Sequence, residues 1–287
     1  MKKDKSNITI SLLYETQNII SELGWDKGDE SSTYFNKYCN MLKFFSDDQQ
    51  KLILELTRKF LRIGMAEYIS YINKALSKIE ESVFDDCGKV YILPLLHLSD
   101  FGKPKSGTII SYMFKDHVIR EHNVFKHTNT RPVVIETPDG FPRNINDTPN
   151  MILFVDDFIG SGENAISSIN SWITKYGISK NKIKVLSFIA QEAGISKIKS
   201  MEIDVYYSLI QNKGISDSYT GNEVEKRLDI MKGIEDLLKV KEEYRFGYNH
   251  SEALVSLTRT PNNTFPVFWL SKKKLVNDQD YNPPFPR

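Results

Sequence analysis

Apolar residues along the first 83 positions recur at helical spacing and then change period. Leu12, Leu13, Ile19, Ile20 and Leu23 share one face and stop at Gly24, a residue suited to ending a helix. Ser46 with Gln49 three positions later forms a capping box ahead of Leu52, Ile53, Leu56, Phe60 and Ile63. A further stripe after Gly64 runs through Met65, Tyr68, Ile69, Ile72, Leu76 and Ile79. The pattern predicts a wholly helical N-terminal region over 1–85, whose narrow apolar stripes need a surface to pack on.

From Lys89 the pattern turns to short apolar runs, the mark of strands buried on both faces. Lys89–Leu96 is the first, with Pro94 confined to an end or an edge. Arg131–Glu136, Met151–Val155, Ile183–Ala190 and Ile203–Ile210 follow, and helical patterns lie between several of them. Thr108 opens one helix carrying Ile109, Ile110, Met113, Phe114 and Ile119, and Ile195–Met201 is a short one. Strand–helix–strand alternation predicts an α/β domain over 86–287 with a doubly wound parallel sheet. Glu223–Val240 reads as a further helix, and Ala253–Leu257 suits a strand.

One stretch carries chemistry. The run Met151–Val155 meets two adjacent carboxylates, Asp156 and Asp157, and then Gly160, Ser161, Gly162, Glu163 and Asn164 lead into an amphipathic helix. Loop glycines let backbone approach an anion, and the N–H groups at the helix start point at it. The carboxylates repel that anion and need another partner, such as sugar hydroxyls or Mg²⁺. A phosphate beside vicinal hydroxyls describes a ribose 5-phosphate. The loop after the first strand, His97–Gly107, offers Lys103, Lys105, Ser106 and Gly107 at a helix start, a second place for an anion. Asp-Asp after an apolar strand also opens the phospho-acceptor domains of two-component signalling, where a later strand ends in the phosphorylated Asp. Here Asp204 begins its strand.

Composition narrows the class without choosing a reaction. Hydrophobic content of 40% and charged content of 26% are those of a folded globular chain. A net charge of +1 gives no electrostatic signal for nucleic acid or membrane. The short basic clusters Lys2, Lys3, Lys5 and Lys272–Lys274 read as solvated ends. No apolar run approaches the ~20 residues of a membrane span. Cys39 and Cys87 stand apart without metal-ligand spacing and read as free thiols of a cytoplasmic protein.

The stretch 151–164 resembles the phosphoribosyl-diphosphate (PRPP) motif of type I phosphoribosyltransferases: apolar strand, Asp-Asp, linker, Thr/Ser-Gly and another Thr or Ser. Gly160 stands where Thr is common, and Asn164 where Thr or Ser is usual. The C-terminal pattern from Gly247 to Trp269 resembles phosphoribosyltransferase-like proteins of bacterial anti-phage conflict systems, including retron cassettes. The resemblance implies an enzyme acting on PRPP or a nucleotide as a defence effector, with Mg²⁺ accompanying PRPP. It implies that Asp156 and Asp157 hold the ribose and meet the metal through PRPP, that 160–164 grips the 5-phosphate, and that Lys103, Lys105, Ser106 and Gly107 receive the diphosphate. It further implies a mobile flap in Thr137–Asn150 and a base-selecting hood that includes Asn262 and Asn263. A non-catalytic PRPP or nucleotide sensor, docking a partner such as a reverse transcriptase–DNA complex, stays open beside the enzyme.

Overall fold

The computed structural model describes residues 8–27, 31–103, 105–276 and 279–287; Lys2, Lys3 and Lys5 lie outside them. In chain order the elements are α1 (Ile10–Glu22), α2 (Ser31–Leu42), α3 (Asp47–Thr57), β1 (Leu61–Arg62), α4 (Tyr68–Leu76) and β2 (Lys89–Pro94). Then come α5 (Ser106–Met113), α6 (His117–Arg120), α7 (Asn123–Lys126), β3 (Arg131–Val134), β4 (Met151–Ile159) and α8 (Glu163–Tyr176). The last are β5 (Ile183–Ala190), α9 (Glu192–Lys199), β6 (Asp204–Ile210), α10 (Asn222–Leu237), β7 (Val255–Ser256), β8 (Lys272–Val276) and β9 (Gln279–Tyr281).

The chain divides into two compact units, 63–211 and a second made of 1–62 with 212–287. The expected boundary at residue 85 differs from this division for a physical reason. The stripe after Gly64 forms α4, which packs on β5 and β6 and so belongs with the sheet. Helices α1 to α3 instead share a core with the C-terminal segment, where Trp25, Tyr38, Leu52 and Phe60 meet Met231, Ile234, Phe268 and Phe285. Phe60 stacks on Phe285 with ring centroids 4.6 Å apart. The N-terminal region is also not wholly helical, because Leu61 and Arg62 pair in parallel with Val255 and Ser256. Ser46 does cap α3 as the spacing predicts, its N–H donating to Gln49 Oε1 at 3.1 Å.

The unit 63–211 is the α/β part, a five-stranded parallel sheet in the order β3-β2-β4-β5-β6. Alternation along β4 separates its two faces. Ile152 and Phe154 join Ala165, Ile169 and Trp172 of α8 and Ile195 and Ile198 of α9 in one apolar cluster. On the other face α4 sets Tyr68 against Phe188 of β5, edge to face at 4.7 Å. Helices therefore cover both faces, as a doubly wound sheet requires. The helix expected to run from Thr108 to Ile119 is broken after Met113, where Asp116 accepts the Val118 N–H at 2.8 Å and starts α6.

The strand order reverses direction between β2 and β4. From β2 the chain moves out to β3, and from β4 it moves the opposite way to β5. The loops leaving β2 and β4 part there, and sheets of this kind bind ligands outside the carboxyl ends of the strands at such a point.

Candidate active site

At this reversal β4 outruns its neighbour. Strand pairing between β2 and β4 ends at Pro94 opposite Val155, whereas β4 stays paired with β5 to Ile159 opposite Ala190. The strand expected to stop at Val155 thus continues through the acidic pair. Asp156 and Asp157 lie within it, held by parallel pairing on one side where the β2 side has opened. Gly107 fits this corner closely, since a Cβ there would stand 3.0 Å from the Val155 carbonyl oxygen and 3.2 Å from Pro94 Cβ. Only hydrogen lets the start of α5 seat against the ends of both strands.

The two carboxyl groups are gripped by different elements. Ser106 Oγ, at the start of α5, donates to Asp156 Oδ1 at 3.0 Å, and the same oxygen accepts the Asp157 N–H at 2.9 Å. Tyr68 Oη, on α4, donates to Asp157 Oδ2 at 3.3 Å. Asp157 is only 5% exposed, and Asp156 is half-buried. Burial pushes both carboxyls up from the ordinary range, Asp156 the further of the two because the charge of Asp157 adds to its desolvation. Hydrogen bonds from Ser106 and Tyr68 restrain the rise at Asp157. The pair gathers positive charge or hydroxyl donors gladly, because either relieves two crowded carboxylates. Among the described residues no group of three or more His, Cys, Asp and Glu side chains is placed to hold a metal ion. Two carboxylates suit Mg²⁺ only where a ligand supplies further oxygens, which is how this ion sits with phosphates.

The glycine loop closes the other side. Gly162 takes a left-handed conformation (φ 81°) as the cap of α8, and no side chain occupies the cap. Its carbonyl accepts the Ile166 N–H at 2.9 Å, so the first N–H groups of α8 are left for an anion. Gly160 is buried, and Gly194 of α9 presses against this loop: a Cβ on Gly194 would lie 2.4 Å from the Gly160 oxygen. Glu163 and Asn164 are exposed, and Glu163 pairs with Lys197 of α9. The carboxylate that would oppose a phosphate is thereby engaged by a cation standing beside the loop. Neither Gly194 nor Lys197 is marked by the motif; the only trace in the sequence is a glycine in the first turn of a short helix.

The lysines of the first loop are also occupied. Lys103 and Lys105 both reach Asp100, at 2.5 Å and 3.1 Å, and these contacts hold Asp100 down at about 2. The loop after β2 therefore carries its own counter-ion, which a diphosphate would displace. Residues 105 to 107 and 156 to 164 meet through Ser106 and Asp156. Asn262 and Asn263 belong to the other compact unit. There the Asn262 carbonyl accepts the Tyr248 N–H at 2.9 Å, and the Asn263 carbonyl accepts from Ala253 N–H at 3.1 Å and Ser251 Oγ at 2.8 Å. A Cβ on Gly247 would fall 1.9 Å from that Asn263 oxygen, so their backbone shapes the 247–253 turn.

The segment Thr137–Asn150 is exposed along much of its length, as its polar composition suggests, but it is anchored at two buried residues. Phe141 and Ile145 are buried, Phe141 packs on Trp172 and Tyr176, Tyr176 Oη donates to the Pro138 carbonyl at 2.8 Å, and Asn146 Nδ2 donates to the Gly177 carbonyl at 2.8 Å. These anchors are at the far end of α8, about 20 Å along the helix from its glycine loop. Asp204 stands at the amino end of β6, paired with Lys184 at 2.5 Å, so the sheet gives the acidic pair no phospho-acceptor partner at a strand's carboxyl end there.

A family model described as PRTase-CE matches residues 23–287. Among curated proteins none matches the chain. No helix among the described residues is long and apolar enough to cross a membrane.

Proposed function

The chain belongs to the PRTase-CE family, which is phosphoribosyltransferase-like, and on that premise we propose that it is an enzyme acting on PRPP or a nucleotide. The reaction is transfer or cleavage of the N-glycosidic bond at ribose 5-phosphate. The observation that carries this reading is the Ser106–Asp156 hydrogen bond. It joins the loop suited to a diphosphate to the carboxylates suited to a ribose, beside a helix start suited to the 5-phosphate. Each part serves a different portion of one ligand.

In this mechanism the 160–164 loop anchors the 5-phosphate through backbone N–H groups, with Ser161 as a hydroxyl donor and Lys197 near at hand. Asp156 and Asp157 accept from the ribose hydroxyls and steady positive charge as it develops at the anomeric carbon. Lys103 and Lys105 leave Asp100 for the leaving diphosphate, assisted by Ser106 and the Gly107 N–H. Mg²⁺, when bound with PRPP, would neutralise that leaving group, its charge shared with Asp156 and Asp157 through the ligand. Such catalysis is positioning and electrostatic stabilisation, and no strong nucleophile is needed.

The biological setting we propose is a cytoplasmic effector of bacterial anti-phage defence, of the retron-associated type, supported by the Gly247–Trp269 pattern and by the free thiols Cys39 and Cys87. Asn262 and Asn263 are the proposed base-side residues. One observation favours a second reading, a sensor that binds without turnover and docks a partner such as a reverse transcriptase–DNA complex. Lys103, Lys105 and Ser106 are each bonded to protein carboxylates, and a bound anion would have to exchange those contacts.

Calorimetric titration of Mg²⁺–PRPP tests the site. Wild type is expected to bind, and Asp156→Asn/Asp157→Asn to lose at least tenfold in affinity. Equal binding by both proteins, or none by wild type, would remove the ribose-phosphate assignment. Product formation from PRPP with nucleobases, or from nucleotides with water, separates the enzyme from the sensor.

A further inference from the structure

Tyr68 is completely buried, yet it carries a hydroxyl that a core position does not need. Its ring already packs edge-on against Phe188, which is itself sealed from solvent, and phenylalanine would fill that space equally well. A buried hydroxyl must be hydrogen-bonded or it destabilises the fold. Here it reaches across 89 positions of sequence to Asp157 Oδ2. The 3.3 Å separation is long for an O–H···O bond. Tyr68 thus links the rigid first turn of α4 to the carboxyl group that β4 delivers.

A carboxyl group turns freely about its last torsion unless something fixes one of its oxygens. Asp156 is fixed by Ser106 and by the Asp157 N–H; Asp157 receives Tyr68 from α4. Fixing the plane matters for a hydroxyl ligand, because a charge-assisted bond is short and directional. A buried acceptor aimed at a hydroxyl also rejects an analogue lacking it, since the acceptor is then left unpaired. We propose that Tyr68 is a positioning residue that sets sugar specificity: by holding Asp157 Oδ2 it aims the carboxyl at a ring hydroxyl and so distinguishes ribose from deoxyribose phosphates. The inference rests on the ribose-phosphate reading above and assigns part of its specificity to a helix outside the motif.

The test is binding of ribose 5-phosphate, 2-deoxyribose 5-phosphate and 3-deoxyribose 5-phosphate to the full chain and its variants. Wild type is expected to prefer ribose 5-phosphate over at least one deoxy analogue by about tenfold or more. Tyr68→Phe should shrink that ratio at least threefold, mainly by weakening ribose 5-phosphate, with deoxy-sugar affinity changed less than twofold. Phe188→Leu disturbs the same packing without touching the hydroxyl and should leave the ratio in place. Thermal denaturation of Tyr68→Phe beside Phe188→Leu separates misfolding from lost positioning: at matched stability, only Tyr68→Phe should lower the ratio. In the Tyr68→Phe/Asp157→Asn double variant the losses are expected to be less than additive, because Tyr68 is proposed to act through Asp157. An unchanged ratio in Tyr68→Phe, or additive losses in the double variant, would overturn the role of Tyr68 and leave the ribose-phosphate site standing. Wild type that binds all three sugars equally overturns it too, and wild type that binds none removes both readings.

Discussion

Asp156 and Asp157 are adjacent carboxylates drawn into a strand, and their environment works against them. Burial and mutual repulsion raise both above the ordinary carboxylate range, so the folded chain binds protons there more tightly than the unfolded chain. Their unfavourable contribution is absent in acid and develops as pH rises from the unfolded carboxylate range through the raised folded values. Asp156→Asn keeps an acceptor for Ser106 and the Asp157 N–H while removing one charge. It is expected to raise thermal stability at pH 7.5 by about 1 kcal/mol, or roughly 3 °C, with the gain fading toward pH 4. Thermal denaturation at the two pH values checks this. A variant destabilised equally at both would mean that the pair is already compensated by its surroundings. Stability gained where binding is lost marks a residue kept for its chemistry rather than for the fold.

At the scale of elements, the site depends on contacts that the motif alone does not describe. Helix α9 supplies Gly194, whose lack of a side chain lets the Gly160 carbonyl approach, and Lys197, which holds Glu163. Gly194→Ala forces a Cβ to within 2.4 Å of that carbonyl, so either the glycine loop or α9 must move. The expected cost is about 1–3 kcal/mol, the range for overpacking a close contact. Phosphate affinity should fall with it, more than for Gly177→Ala, where the left-handed backbone (φ 63°) disfavours a side chain but the added Cβ meets no atom within 4 Å. Chemical denaturation and binding of inorganic phosphate measure both effects, and equal losses of phosphate affinity in the two variants would mean that the close contact of Gly194 with the glycine loop does not serve the anion. The segment 137–150 teaches the converse. Its prolines and polar residues suggest an open loop, yet two apolar residues, Phe141 and Ile145, suffice to pin it against the end of α8.

For the molecule as a whole, the division of the chain is the main departure from its linear reading. Helices α1 to α3 and the C-terminal segment contribute to one core, although more than 140 positions separate Arg62 from Asn212. Neither piece buries its apolar residues alone. Deletion of residues 1–62 is therefore expected to leave 212–287 without the partners of Met231, Ile234, Phe268 and Phe285. That segment should become rapidly cleaved by protease and lose hydrogen-exchange protection, while β4 and β5 stay protected in the same chain. Retained protection across α10 would show that the C-terminal segment holds its own core.

Local pattern was sufficient wherever the physics is local. The strand β5 falls on Ile183–Ala190 as the apolar run indicates, and Ser46 caps α3 with Gln49 as their spacing requires. The glycine loop and the start of α8 follow the acidic pair in the order that predicts an anion site, because strand, turn and helix signals are each carried by a few neighbouring residues. Hydrophobic period also determined the parallel α/β class, since alternating elements leave few other ways to cover a sheet. What the sequence by itself could not determine was which distant residues complete the site. Tyr68 reads as one apolar position in a helical stripe, Lys197 as one charge on a short helix, and Lys103 and Lys105 as cations without their Asp100 partner. Strand β4 runs on past Asp157 because pairing with β5 continues after β2 has ended, a property of the neighbours and not of Met151–Ile159. Period and propensity act between residues a turn or a strand apart, whereas pairing and side-chain contact are settled only when the sheet is assembled.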